Sequence, residues 1–119
     1  MSFRLTEAAD ADIEAILRDT LQLFGPMQLQ AYSTLIELAL ERVGADPLGL
    51  GTADRDDIGP GVRSLHIDTV ATRRGSASHS LYFLSTIDGT ERVAVVLRVL
   101  HNRMEPRSRV ASAIPDQAP

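Results

Sequence analysis

The chain has 119 residues, 44% hydrophobic and 24% charged, with a net charge of −4 and no cysteine; this is one domain by length, able to bury a modest core without covalent staples. The missing thiols exclude a disulfide framework, thiol catalysis and thiolate metal sites. The negative balance argues against a protein that mainly grips a nucleic-acid backbone, because such affinity comes from cations displacing counterions, and no sequence-specific nucleic-acid binding is expected.

In chain order, the first residues lack a basic region followed by an apolar one, so neither a signal peptide nor a membrane anchor is expected. Phe3 to Leu5 alternates as a short strand does, and Thr6 is placed to cap a helix whose first turn carries Glu7 and Asp10. Over residues 7–24, Ala9, Ile13, Ile16, Leu17 and Phe24 form a core-facing stripe, with Asp12, Asp19 and Gln22 away from it. Gly25-Pro26 ends this helix and opens a second over residues 27–43, whose stripe is Leu29, Tyr32, Ile36, Ala39, Leu40 and Val43 and whose stop is Gly44 with Pro47. So short a break predicts an antiparallel helical hairpin. Leu21, Leu23, Leu35 and Leu38 lie partly off both stripes.

Residues 45–61 are rich in Gly, Asp and Pro and read as a loop. The cluster Asp54, Asp56 and Asp57 lacks calcium-loop spacing and contains Arg55, so it reads as solvated loop; the three scattered histidines give no metal pattern either. A half-buried strand over residues 62–67 leaves His66 on its exposed face, and a polar connection with Arg73, Arg74 and Gly75 follows. Residues 81–87 form the next strand, and Asp88-Gly89 signals a hairpin into the run Arg92 to Leu100. That run is almost continuously apolar, interrupted by Arg98, as a strand buried on both faces reads. It ends abruptly in His101, Asn102, Arg103, Met104, Glu105 and Pro106. Residues 107–113 suit one more turn of helix, and 114–119 a flexible tail after a domain spanning 1–113.

Three segments, RLTEAADADIEAI, Pro60-Gly61-Val62-Arg63-Ser64-Leu65 and LRVLHNRMEP, occur in this order over nearly the full length. Together they resemble the ParE toxins of the RelE/ParE superfamily of toxin–antitoxin modules. The sequence departs from that pattern between Asp68 and Ser80, where its connection is longer. The resemblance implies an α+β fold of order β-α-α-β-β-β, a helical hairpin packed on a mainly antiparallel four-stranded sheet, with the first strand beside the last. It further implies a cytoplasmic protein without cofactor that binds and inhibits DNA gyrase and is neutralised by a ParD-like antitoxin in a hetero-oligomer.

The superfamily's RelE branch instead cleaves mRNA on the ribosome, which requires a group to activate the 2′-hydroxyl, one to protonate the leaving oxygen, and cations for the phosphate. His79, His101, Arg73, Arg98 and Arg103 are the available candidates; the chain has no lysine and no Tyr or His near its end. Non-catalytic binding is therefore the expectation, with ribonuclease activity or a degenerate toxin that retains only antitoxin binding as alternatives. The residues expected to meet the target are Arg73, Arg74, Arg98, His101 and Arg103, although structural roles suit Arg98, His101 and Arg103 equally. The off-stripe leucines either complete the core or line a groove for the antitoxin's folding tail, for which Leu17, Leu21, Tyr32 and Leu35 are the candidates.

Overall fold

Thr6 fixes the first turn of the chain twice over: its hydroxyl oxygen accepts the Ala9 amide at 3.0 Å, capping the first helix, and its hydroxyl donates to the Leu97 carbonyl at 2.8 Å. The cap thereby joins the helix start to the last strand. The computed structural model describes residues 2–115. Its elements are β1 (Ser2–Leu5), α1 (Glu7–Phe24), α2 (Pro26–Ala45), β2 (Thr52–Asp54), β3 (Val62–His66), a 3-10 turn (Ile67–Val70), β4 (His79–Asp88), β5 (Glu91–His101) and α3 (Pro106–Ala111).

The sheet order is β1-β5-β4-β3-β2, with β1 parallel to β5 and every other neighbour antiparallel. The expected hairpin of helices, the meander of the last three strands and the pairing of first strand with last are all present. The sheet has five strands rather than four. The added strand, β2, lies in the segment expected to be loop and is three residues long, too short to show alternation. It is held by its pairing with β3, by the Arg55 amide donating to the Val62 carbonyl at 2.8 Å, and by Arg63 Nη2 donating to Thr52 Oγ1 at 2.8 Å.

Gly25 ends α1 and caps α2 at once, with φ of 90°. The second glycine, Gly44, does not stop α2, which runs on to Ala45. A Cβ on Gly44 would sit 3.1 Å from the Ser2 carbonyl carbon and oxygen, so the residue serves the close approach of β1 to the helix. At the β4–β5 hairpin Asp88 pairs with Glu91, so the turn centres on Gly89-Thr90, one residue later than the Asp-Gly expectation. Within this turn positive φ is confined to Gly89, at 66°, as in a type II′ turn.

The sheet is covered on both faces. Tyr32, Ile36, Ala39, Leu40 and Val43 pack with Leu65, Leu81, Phe83, Ala94, Val96 and Val99 beneath the hairpin. On the other face Val62, Tyr82, Leu97, Leu100 and Val110 pack with Ile58 and Ile114. A bulge makes this possible: Tyr82 opposes Arg98 and Phe83 opposes Val96, leaving Leu97 as the extra residue. Val96 and Val99 then share one face, while Leu97 and Leu100 share the other. The expected tail at 114–119 lies, from residue 116 onward, outside the described residues. No described helix is long and apolar enough to cross a membrane.

Candidate functional site

The bulge aims Val99 and the end of β5 toward α1 just where β1 has stopped. A groove of about 570 Å³ opens there, walled by Asp12, Ile16, Asp19, Leu23 and Phe24 of α1 on one side and by Arg98 to His101, Met104 and Arg109 on the other. Asp12 closes its floor. Its Oδ2 accepts Arg98 Nε at 2.6 Å and the Val99 amide at 3.0 Å, and its Oδ1 accepts Arg98 Nη2 at 2.8 Å. One carboxylate thus pairs a guanidinium through two bonds and substitutes for a missing strand partner. The bonds from Asp12 push the Arg98 pKa further up, against the opposing effect of burial. Asp12 was expected to face away from the core; it sits on the flank of the stripe, half-buried, because β5 supplies a cation and an amide there.

At the inner end of the groove Tyr32, His79 and His101 meet edge to face, with ring centroids 5.6 Å and 5.2 Å apart along the series. The Ser78 amide donates to the Tyr32 hydroxyl oxygen at 3.2 Å, leaving the phenol proton to donate to His79 Nδ1 at 2.6 Å. The His79 ring proton is therefore placed on Nε2. Burial, and then the neighbouring His101, lowers the His79 pKa to about 4, so the ring is neutral at neutral pH. Burial likewise raises the Tyr32 pKa. His101 Nδ1 accepts the Arg103 amide at 3.0 Å. Beside it Asn102 ties three strands: its Oδ1 accepts Ser80 Oγ at 2.9 Å, its side-chain amide bonds His66 Nε2, and its main-chain amide donates to the Ser78 carbonyl. His66, read from the sequence as facing solvent, is half-buried in this network.

Of the expected target-facing residues, Arg98 and His101 share the groove, while Arg73, Arg74 and Arg103 stand elsewhere. Arg73 and Arg74 are exposed on the connection after the 3-10 turn, which is ordered by the Asp68 carboxylate accepting the amides of Gly75 at 2.9 Å and Ala77 at 3.0 Å. Those backbone bonds, Gly75 first, lower the Asp68 pKa. Arg74 borders a separate shallow depression with His66 and Asp68, and Arg103 is exposed on the turn past β5. Among the expected antitoxin-facing residues, Leu17 and Leu35 pack partly buried against the hairpin-side core, and Tyr32 is only 6% exposed. Leu21 is 43% exposed and belongs with Leu23, Phe24 and Met27 to an apolar tip of the hairpin. Sequence reasoning missed Asp12 and Arg109. Neither shows a local pattern, since the Asp12–Arg98 pairing spans 86 positions.

Two of the loop aspartates serve the backbone and the third an ion pair. Asp54 accepts the Asp56 amide, Asp56 accepts the Gly61 amide, and Asp57 pairs Arg55 through two bonds of 3.0 Å, which lower its pKa. No His, Asp or Glu grouping among the described residues could hold a metal ion.

The family model described as ParE toxin of type II toxin-antitoxin system, parDE, matches residues 3–106. This chain belongs to the ParE toxin family. Toxin ParE1 of Mycobacterium tuberculosis, in strains CDC 1551 / Oshkosh and ATCC 25618 / H37Rv, is 34% identical over 103 residues, covering 87% of this chain and 91% of the relative. A solved structure described as a chromosomal ParDE TA system from P. aeruginosa is 25% identical, with a TM-score of 0.57 over 85% of this chain and 95% of that one. The matched ParE region contains the whole groove wall from Asp12 to Met104 and stops at the start of α3, so Arg109 lies beyond it.

Proposed function

We propose that this ParE toxin works by binding and inhibiting DNA gyrase in the cytoplasm, without catalysis, and is neutralised by a ParD-like antitoxin. Family membership carries the reading. The site chemistry supports it: Arg98 is engaged by Asp12, His79 is neutral with Nδ1 tied to Tyr32, and His101 Nδ1 is taken by the Arg103 amide. Such a set commits these three groups to holding the sheet end together rather than to the acid, base and free cation that phosphodiester cleavage would need. The exposed arginines Arg73, Arg74 and Arg103, with His101 and Arg98 nearer the groove, are the proposed target contacts. The antitoxin is proposed to cover the apolar edge of the hairpin around Leu21, with Leu17 and Leu35 beneath it and Tyr32 supporting the groove from inside.

The test is to add the purified chain, in parallel, to a gyrase supercoiling reaction and to a cell-free translation reaction. Loss of supercoiling with intact mRNA is expected; intact supercoiling with mRNA cleaved in translating ribosomes would transfer the protein to the RelE-type reading.

A further inference from the structure

β1 ends at Leu5, opposite Val96, so β5 continues to His101 with no strand on that side. Several main-chain groups along this open edge are already engaged. The Leu97 carbonyl accepts the Thr6 hydroxyl, the Val99 amide donates to Asp12, and the His101 carbonyl accepts the Met104 amide at 2.9 Å. On the other side, the Asn102 amide donates to the Ser78 carbonyl. Because an antiparallel ladder alternates, Leu100 directs its main-chain groups to β4, and Val99 and His101 direct theirs to the open edge.

Two groups remain there, the Val99 carbonyl and the His101 amide. An antiparallel partner could also reach both groups, but only through two residues, one facing Val99 and one facing His101, and each would bring a second main-chain group against one already engaged by Asp12 or Met104. A parallel partner needs a carbonyl and the amide two positions later, both bonded to one residue opposite the position between them. A parallel bridge opposite Leu100 is thus the arrangement that uses both free groups through one partner residue.

We propose that an extended segment of the antitoxin adds to this edge parallel to β5. One of its residues, opposite Leu100, donates its amide to the Val99 carbonyl and accepts the His101 amide. The inference rests on the antitoxin reading above and specifies how that partner is held. Opposed side chains of a parallel pair share a face, so this residue points to the α3 side, as Leu100 does. Arg109 lines that wall, its Nη1 donating to the Glu105 carbonyl at 2.7 Å, and no carboxylate among the described residues pairs with it. An acidic side chain complements it. The residues on either side of the acidic one point to the hairpin wall, where Ile16, Leu23 and Phe24 select apolar groups and Asp19 disfavours a second acid. The segment therefore reads apolar, acidic, apolar.

The experiment is residue-resolved amide exchange by NMR on the labelled chain, alone and co-purified with the protein encoded by the adjoining reading frame. In the complex the His101 amide exchanges about tenfold or more slowly, while the Asn102 amide, already bonded to Ser78, changes far less. A complex in which His101 exchanges as in the free chain overturns strand addition and leaves the antitoxin reading standing; failure to form any complex overturns that reading itself. Concentration-dependent slowing of His101 in the free chain would assign the edge to a second copy and overturn the proposal. Arg109→Glu weakens the complex about tenfold or more with an unchanged melting curve; unchanged affinity would overturn the acidic assignment.

Discussion

Asp12 and Arg98 form a bidentate ion pair across 86 residues of sequence, with oxygen–nitrogen distances of 2.6 Å and 2.8 Å, and the same carboxylate accepts the Val99 amide. α1 is thereby fastened to β5 at the point where β1 stops pairing. Asp12→Ala leaves the guanidinium and the Val99 amide without their acceptor, and urea unfolding is expected to show a loss of about 2–4 kcal/mol. Arg98→Met should cost less, since it removes the charge together with its need for a partner. The double variant should lose less than the sum of the two singles, and strict additivity would mean the pair is not coupled.

Acid should weaken the Tyr32–His79 contact. The His79 pKa is depressed from 6.5 to about 4 by burial and by His101, with Asp12 opposing weakly. The unfolded chain therefore binds the proton first: the stabilisation is fully present above about pH 6.5 and is lost as pH falls toward 4. The partly solvated ring limits the effect to about 1–2 kcal/mol. His79→Gln should flatten this part of a stability–pH curve, and a variant as acid-sensitive as the parent would place the titration elsewhere.

Gly44 should tolerate little. A Cβ there meets the Ser2 carbonyl at 3.1 Å, so Gly44→Val is expected to lower stability by about 1–3 kcal/mol and to speed amide exchange in β1. Gly44→Ala should be milder, because its gain in helix propensity of about 1 kcal/mol offsets part of the clash. Thermal unfolding of the two variants side by side checks the order.

The hairpin edge separates folding from recognition. Leu21, 43% exposed, can become Leu21→Glu with a stability change within about 0.5 kcal/mol, while antitoxin affinity falls about tenfold or more. Tyr32→Glu, by contrast, places a charge in the core and should unfold the chain. A Leu21→Glu protein that binds antitoxin normally would remove this edge from the interface.

Local chemistry made the helices legible in the sequence: the Thr6 cap, the Gly25-Pro26 break and the 3.6-residue stripes placed α1 at its observed bounds. Alternation and the Asp-Gly turn signal likewise placed the meander. The rest depended on contacts distant in sequence. Gly44 looked like a helix stop because the approach of Ser2 cannot be read from its neighbours, and β2 was hidden because three residues carry no period. The site was legible only in part. His101 and Arg98 stood out as a polar tip and an interruption of an apolar run, but Asp12 resembled any solvated helix acid until β5 supplied its partners. The bulge at Leu97, which turns Val99 toward the hairpin, left no mark in a segment apolar at nearly every position.

The central claim, inhibition of gyrase by binding, is tested most directly by titrating the purified chain into a gyrase supercoiling reaction at several fixed gyrase concentrations. Supercoiling is expected to be lost as sites fill, at a constant molar ratio of chain to gyrase when both are well above the dissociation constant, and to be restored by the antitoxin. Undiminished supercoiling at saturating chain, with mRNA cut in translating ribosomes, would contradict it.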